Sequence, residues 1–212
     1  MVITIDGLSG TGKSTVAKAV AEELGFFYVS TGRIYRSLAY SMMIVGEEVA
    51  DKSRMLNYID ALALTFRNNS LVANGIADDN ILQNEAIAGF AAEIGSDSNL
   101  KSAVSKKIIL AVDSRNAVVE GRKAGVILFP DAILKVYLYA DDEERVARKL
   151  RQMPRYTYDW VRSKLDQRDV LVGSILGGDA YGINTSVKST QAVVKEILEQ
   201  FRKAPFRSNQ SG

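Results

Sequence analysis

A phosphate-binding loop near the start of the chain constrains the fold more than any other feature. Residues 7–14 read Gly-Leu-Ser-Gly-Thr-Gly-Lys-Ser and follow an apolar run, residues 2–5, that predicts a β-strand. Residues 15–24 then predict a helix. The glycines let backbone N–H groups converge on an anion, and the start of the helix adds its positive end. Strand, loop and helix in this order indicate a nucleoside triphosphate site rather than a simple turn.

Each polar position of the loop has an expected role. Lys13 brings a full charge to the β- and γ-phosphates, and the Ser14 hydroxyl is a ligand for Mg²⁺. Asp6 and Glu120 end predicted neighbouring strands, so each is either a holder of a Mg²⁺-bound water or a cap for a loop; we favour Asp6 as the metal residue. The residues expected to bind the triphosphate are Gly7, Ser9, Gly10, Thr11, Gly12, Lys13, Ser14 and Thr15, with Arg145 from a later helix.

The composition excludes several other classes of chemistry. The chain has 212 residues and a formal net charge of only +2, so neither nucleic acid nor a membrane is an expected partner. It contains no cysteine and no histidine, which excludes thiolate catalysis, disulfides and a histidine base. No apolar run approaches the ~18–20 residues of a membrane span. Because the loop begins at position 7, we expect no signal peptide and a cytoplasmic location.

The alternation of strands and helices predicts an α/β fold of the P-loop type. We expect three layers, a parallel sheet with helices on both faces, and ligands at the carboxyl ends of the strands. The predicted core covers residues 1–45 and 83–205, with a helical lid near 145–165. Residues 46–82 contain short apolar runs separated by Asn and Gly, which predicts a small β-rich insert. Residues 206–212 are expected to be a flexible tail.

We expect arginines close to the transferred phosphoryl group, because phosphoryl transfer depends on positioning and charge neutralisation. A second strand is predicted at residues 26–29, and Arg36 lies one helical turn beyond the loop that follows it. Arg122 directly follows the strand predicted at 117–120. Arg145, Arg148 and Arg151 are spaced by three, as on one face of a lid helix, although a solvated helix with pairs such as Glu144 and Arg148 fits the same spacing. The sequence predicts helices over residues 142–152 and 158–170, and Arg168 lies at the end of the second, where it is placed to reach the transferred group.

The lack of histidine also favours one kind of acceptor. An alcohol acceptor normally needs a carboxylate or histidine to take its proton, whereas a phosphate acceptor is already an anion at neutral pH. No residue after the loop resembles a dedicated base on a catalytic loop. The sequence therefore favours a nucleoside monophosphate as the acceptor.

Four segments together resemble the bacterial cytidylate kinases. They are residues 5–14, 30–36, 120–132 and 140–148, and the resemblance runs from residue 1 to about 200. The stretches Phe-Pro-Asp-Ala at 129–132 and Thr-Gly-Arg-Ile-Tyr-Arg at 31–36 make it specific, since the loop alone fits many families. The resemblance implies a core parallel sheet, a lid and a β-rich insert that helps to hold CMP, which matches the insert expected at 46–82.

The resemblance also implies roles for individual residues. The catalytic residues would be Lys13, Arg122, Arg148 and Arg168. The acceptor-binding residues would be Thr31, Arg36, Lys101, Arg122, Lys123 and Asp169. ATP would be the co-substrate and Mg²⁺ the cofactor, held by Ser14 and Asp6.

The chain departs from the family in the part that recognises sugar and base. Lys123 replaces the acidic member of a Gly-Arg-Asp motif, and Lys101 and Ala92 stand where the family has an arginine and a serine. Val172 and Ile175 replace an aspartate and an arginine. A site that relies on buried polar partners loses on the order of 10⁴ in discrimination without them. Either CMP is held differently here, or the acceptor is another molecule.

Three functional hypotheses follow. The first is an ATP-dependent kinase of the cytidylate kinase type, acting on CMP or dCMP. The second keeps the donor and changes the acceptor to a modified nucleotide or a small metabolite. The third is a nucleotide-binding regulator that has lost transfer activity, which the intact loop and arginines disfavour. In each case the expected partners are small-molecule nucleotides, and the expected assembly is a monomer or weak dimer.

Overall fold

In the computed structural model, the structure describes residues 1–46, 51–76, 78–170 and 179–204. The elements follow in the order β1 (Val2–Gly7), α1 (Lys13–Leu24), β2 (Phe27–Ser30), α2 (Thr31–Ile44), α3 (Lys52–Asp60), β3 (Leu64–Arg67), β4 (Ser70–Ala73), α4 (Asp79–Leu82), α5 (Glu85–Ser96), α6 (Ser98–Val112), β5 (Ala117–Gly121), a π-helix (Ala124–Leu128), β6 (Leu134–Tyr139), α7 (Asp142–Gln152), α8 (Tyr158–Val170), β7 (Tyr181–Asn184) and α9 (Thr190–Lys203). The chain divides into two compact units, Phe26–Asn116 and the remainder.

The unit formed by Met1–Gly25 and Ala117–Gly212 is built on a parallel sheet in the order β5-β1-β6-β7. The centre of β1 is covered on both faces, because its successive side chains from Ile3 to Asp6 are all buried. Helix α1 packs on β5 and on α9, and α9 also packs on β6. This confirms the predicted α/β fold with a parallel sheet, and it places the ends of β1 and β5 side by side (Asp6 pairs with Gly121).

The Phe26–Asn116 unit contains a hairpin and a group of helices. Strands β3 and β4 pair antiparallel, and β4 runs parallel to β2. Asn68 and Asn69 both have positive φ, 45° and 57°, as the two central residues of a type I′ turn require. Helix α2 packs on α5, and α3 packs on α6. The hairpin was predicted within the proposed insert, but α3 was not; Met55 and Ile59, buried four residues apart, are its helical signal.

Elements with strong sequence signals begin and end where the sequence indicated. The helices expected at 142–152 and 158–170 are α7 and α8. The π-helix was not predicted. It lies directly after β5, and its first two backbone N–H groups, at Ala124 and Gly125, donate to the Asp6 carboxylate. Among the described residues, no helix is both long and apolar enough to cross a bilayer. The expected tail, residues 206–212, lies outside the described residues, and the boundaries of the insert and the lid stay predictions.

Candidate active site

The phosphate-binding loop joins β1 to α1 and has the backbone shape that an anion site needs. Gly10 and Gly12 have φ of 82° and 84°, in the left-handed region that favours glycine. A side chain at Gly10 would also collide with the main chain, because a Cβ there would lie 2.9 Å from the carbonyl oxygen of Arg145. Gly12 is the residue before α1 and cannot cap it with a side chain. The first N–H groups of α1 therefore remain available for phosphate oxygens.

Two side chains of the loop fold back on its own main chain. The Thr11 hydroxyl and the Lys13 ammonium group both donate to the carbonyl oxygen of Leu8, each at 2.9 Å. These bonds hold the two ends of the loop together. They also place the Lys13 Nζ inside the loop, at the position from which it would meet the phosphates.

Lys13 is the most strongly perturbed cation of the site. Burial lowers its pKa to about 8, against the ordinary value near 10.5. Glu120 opposes this shift, whereas the nearby cations Arg122 and Lys149 add to it. A desolvated ammonium group interacts more strongly with an incoming phosphate than a hydrated one does. This half-buried, partly desolvated position thus suits Lys13 to triphosphate binding.

The two acidic strand ends have different partners. The Glu120 Oε1 accepts a hydrogen bond from the Ser14 hydroxyl at 3.1 Å. The two oxygens of Asp6 each accept a backbone N–H, from Ala124 and Gly125, at 2.8 Å. Burial raises the pKa of the Asp6 carboxyl above its usual value, and these two bonds oppose the rise. Asp6 therefore caps the start of the π-helix, which is the loop-capping role considered for it. Glu120 is the acid beside Ser14.

The oxygen donors around Ser14 suit Mg²⁺. A hydroxyl and a carboxylate are the hard ligands that this ion prefers, with water and substrate phosphate completing the shell. Within the described ranges, no group of three or more acidic side chains converges into a ready metal cage. This donor set fits an ion that arrives with its nucleotide. The metal role of Asp6 stays a prediction.

Arg145 is buried beneath the loop, with 3% of its surface exposed. Its Nε donates to the carbonyl oxygen of Ser9 at 2.8 Å, and its two terminal nitrogens pair with Asp142 and Asp169. Every nitrogen of the guanidinium thus has a protein partner. The predicted ATP-binding role of Arg145 stays a prediction, and the geometry gives it a bracing contact with the loop.

Arg148 lies one turn further along α7 and also faces the loop. Its Nε pairs with Glu144 at 2.8 Å, and its Nη1 lies 3.4 Å from the carbonyl oxygen of Gly10. Arg151 differs from both, since 66% of its side chain is exposed. The three arginines therefore do not share one environment: the predicted lid face divides into a buried, a loop-facing and a solvent-facing arginine.

Helix α8 ends beside the strand β5. Arg122, immediately after β5, donates from Nη1 to the carbonyl oxygen of Arg168 at 3.1 Å. Asp169, the next residue, pairs through Oδ2 with Arg145, and among the described residues its buried Oδ1 has no hydrogen-bond partner. Lys123 precedes the π-helix and is half-buried. The structure thus brings Arg122, Arg168 and Asp169 together.

The remaining predicted acceptor residues belong to the Phe26–Asn116 unit. Thr31 is the first residue of α2, and Arg36 folds back over the start of that helix, since a Cβ at Gly32 would lie 3.4 Å from its Nη1. Lys101 is half-buried in the first turn of α6. Ala92 is exposed on α5. Val172 and Ile175 lie outside the described residues.

One residue of the site was missed by the sequence analysis. Thr185 follows β7, is 3% exposed, and contacts both the loop and Arg148. Nothing in its local sequence distinguishes it from other threonines. Its position depends on the pairing of β7 with β6, which a sequence pattern does not reveal.

Comparison with known proteins gives one consistent result. Residues 3–203 match the family model described as cytidylate kinase. A cytidylate kinase of Mycoplasma genitalium is 34% identical over 95% of this chain and 96% of its own length. One from Burkholderia ambifaria is 31% identical over 95% and 92%.

A longer relative and a solved structure complete the comparison. A bifunctional pantoate ligase/cytidylate kinase of Prochlorococcus marinus is 29% identical, and the chain spans 42% of its length. The crystal structure of TT1252 from Thermus thermophilus aligns with a TM-score of 0.50 at 15% identity, over 94% of this chain and 97% of that one. At that identity the likeness concerns the fold alone.

Proposed function

Because the chain belongs to the cytidylate kinase family, we propose that it transfers the γ-phosphoryl group of ATP to CMP or dCMP. It is a phosphotransferase of the nucleoside monophosphate kinase type. The observation that carries the proposal is the phosphate loop of this chain, with Lys13 inside it and Ser14 bonded to Glu120. The alternative acceptor, a modified nucleotide or another metabolite, is not favoured by these relatives.

The donor half of the reaction follows from the loop. The backbone N–H groups at the start of α1 and the Lys13 ammonium group bind the β- and γ-phosphates of ATP. Ser14 and Glu120 would hold Mg²⁺, which would supply charge neutralisation for the phosphates. Arg145 and Arg148 brace the loop from α7, so the donors are already oriented before the nucleotide arrives.

The acceptor half needs an anionic nucleophile and cations to hold it. An oxygen of the acceptor phosphate attacks the γ-phosphorus, a new P–O bond forms, and the bond to the bridging β–γ oxygen breaks to release ADP. Since the acceptor oxygen is already deprotonated at neutral pH, no general base is required. We assign Arg122 and Arg168 to the acceptor phosphate. Thr31, Arg36, Lys101, Lys123 and Asp169 are proposed acceptor contacts.

Two finer statements belong to the same proposal. Mg²⁺ is the proposed cofactor because the Ser14 and Glu120 oxygens suit it. A cytoplasmic location is proposed because the substrates are nucleotides, and the monomer or weak dimer stays a prediction. A regulator without transfer activity is disfavoured by the complete loop.

The test is a direct assay of the full chain. ADP release is followed with ATP, Mg²⁺ and each common nucleoside monophosphate and deoxymonophosphate in turn, with Lys13→Ala protein as the blank. We expect the highest kcat/KM with CMP or dCMP, within the ordinary enzyme range of about 10⁴–10⁸ M⁻¹s⁻¹. A better acceptor among the other nucleotides, or no ADP release with any, would contradict the proposal.

A further inference from the structure

Thr185 occupies a central position between two parts of the site that are distant in sequence. It follows β7, and its backbone N–H donates to the carbonyl oxygen of Tyr139 at the end of β6, at 2.8 Å. Only 3% of the residue is exposed. A buried hydroxyl must form its hydrogen bonds within the protein, so its partners show what it holds in place.

The hydroxyl of Thr185 has one proton to donate and can also accept. Its Oγ1 lies 3.0 Å from the carbonyl oxygen of Thr11, in the phosphate loop, and 3.2 Å from that of Tyr139. The same oxygen accepts a hydrogen bond from the Arg148 Nη1 at 3.0 Å. Because the proton points to a carbonyl, the oxygen lone pairs remain for the arginine. The hydroxyl therefore connects the loop to Arg148 directly.

The main chain of Thr185 holds the same guanidinium group. Its carbonyl oxygen accepts a hydrogen bond from the Arg148 Nη2, so Thr185 contacts both terminal nitrogens of Arg148. The third nitrogen, Nε, is held by Glu144. A planar guanidinium that is hydrogen-bonded at all three nitrogens has little freedom to rotate. The Arg148 Nη1 is thereby held 3.4 Å from the Gly10 carbonyl oxygen.

We propose that Thr185 is a positioning residue for phosphoryl transfer, whose hydroxyl keeps Arg148 in register with the phosphate-binding loop. It touches no substrate in this scheme. Thr185 acts by holding the charge of Arg148 where charge develops on the transferred group, which lowers the barrier only if that charge is placed in advance. The inference rests on the proposed kinase function.

The test compares Thr185→Val, which keeps the shape and removes the hydroxyl, with Thr185→Ser, which keeps the hydroxyl. We expect Thr185→Val to lower kcat about tenfold, a coupling of the usual size for bonded neighbours, while the ATP dissociation constant changes less than about threefold. Thr185→Ser should stay within about twofold of the parent, because the bonded oxygen remains. If the valine variant does not fold, Thr185→Ala removes the same hydroxyl without a branched side chain.

A double-mutant cycle shows whether Thr185 acts through Arg148. In an Arg148→Ala background, Thr185→Val should lower kcat no more than about twofold further. The inference is wrong if Thr185→Val still lowers kcat tenfold in that background. It is also wrong if Thr185→Ser lowers kcat as much as Thr185→Val does, or if Thr185→Val leaves kcat unchanged. A parent chain that releases no ADP with any acceptor refutes the proposed function instead, and then the same valine, serine and alanine variants are compared by ATP dissociation. Under the inference they bind ATP within about threefold of the parent; a large loss of ATP binding in Thr185→Val would refute the positioning role independently.

Discussion

The phosphate-loop unit and the Phe26–Asn116 unit hold their predicted site residues in different ways. In the first, the bonds join residues far apart in sequence: Ser14 to Glu120, Arg145 to Ser9, and Thr185 to Thr11. In the second, Thr31 and Lys101 lie in the first turns of separate helices, which Ser30 caps at α2 and Asp97 caps at α6.

This difference has a consequence for how the two units respond to substitution. Residues that brace one another behave as a group, so removing one disturbs the geometry of the others. Residues at separate helix starts contribute separately. We therefore expect substitutions in the loop unit to act on the rate of transfer, and substitutions in the Phe26–Asn116 unit to act on acceptor affinity.

The largest effect should come from Lys13→Ala. It removes the only loop cation, and transfer should fall at least about 10³-fold, the range typical for losing an essential charge at a transferring phosphoryl group. Single-turnover ADP formation with saturating ATP and CMP measures it. The control is Lys18→Ala, an exposed lysine of the same helix. Near-normal turnover of the Lys13 variant would show that the loop is not the donor site.

Arg148→Ala should have the next largest effect, about 10²-fold on kcat, with less than about threefold on the ATP dissociation constant. The reason is that Arg148 is held against the loop and acts on charge that develops during transfer. Arg151→Ala is the matched control, since Arg151 lies on the same helix and faces solvent. Equal, small changes in kcat and in the ATP dissociation constant would support the alternative that α7 is an ordinary solvated helix. They would contradict a role of Arg148 in the transfer step.

A substitution in the Phe26–Asn116 unit sharpens the comparison from the other side. Arg36→Ala should raise the KM for CMP about 10- to 30-fold, the value of one lost charge-assisted bond, and leave ATP affinity unchanged. Initial rates over a CMP titration give the KM, and Arg54→Ala, an exposed arginine of α3, is the control. If kcat fell instead while KM stayed constant, Arg36 would belong functionally with the loop residues.

The parts of the fold that were predicted from sequence are those with local signals. The loop, α7 and α8 depend on glycine spacing and helical periodicity, which are properties of neighbouring residues. The π-helix was missed because it depends on the Asp6 carboxylate, which is 118 positions from its partner Ala124. A bond over that separation leaves no trace in a window of sequence.

The candidate site shows the same limit at the level of single side chains. Arg145 and Arg148 were both predicted to face ATP from their spacing of three, but spacing alone could not reveal that Asp142, Asp169 and Ser9 surround Arg145. Likewise, Asp6 and Glu120 were equivalent strand ends in the sequence. The structure separates them, because Ser14 reaches Glu120 and the π-helix reaches Asp6.

The smallest expected effect is a pH dependence of ATP affinity, which should come from Lys13 in the loop unit and from no residue of the Phe26–Asn116 unit. Burial lowers the pKa of the Lys13 ammonium group to about 8 in the free protein, and a bound triphosphate favours the charged form and raises that pKa. Above pH 8 ATP binding must therefore take up a proton, so affinity falls as the pH rises through 8, by up to about tenfold between pH 7 and pH 9. The pH dependence of the free protein's stability has the opposite sign. A lysine whose folded pKa is depressed favours folding more as the pH rises from about 8 towards the ordinary lysine value of about 10.5.

Calorimetric ATP titrations between about pH 7 and pH 9 measure the affinity, and Lys13→Arg, whose side chain stays charged, should give a flat profile. A parallel decline in both proteins would assign the titration to another group and remove Lys13 as its origin, whereas a decline confined to the lysine protein would tie donor binding to the desolvated charge of Lys13.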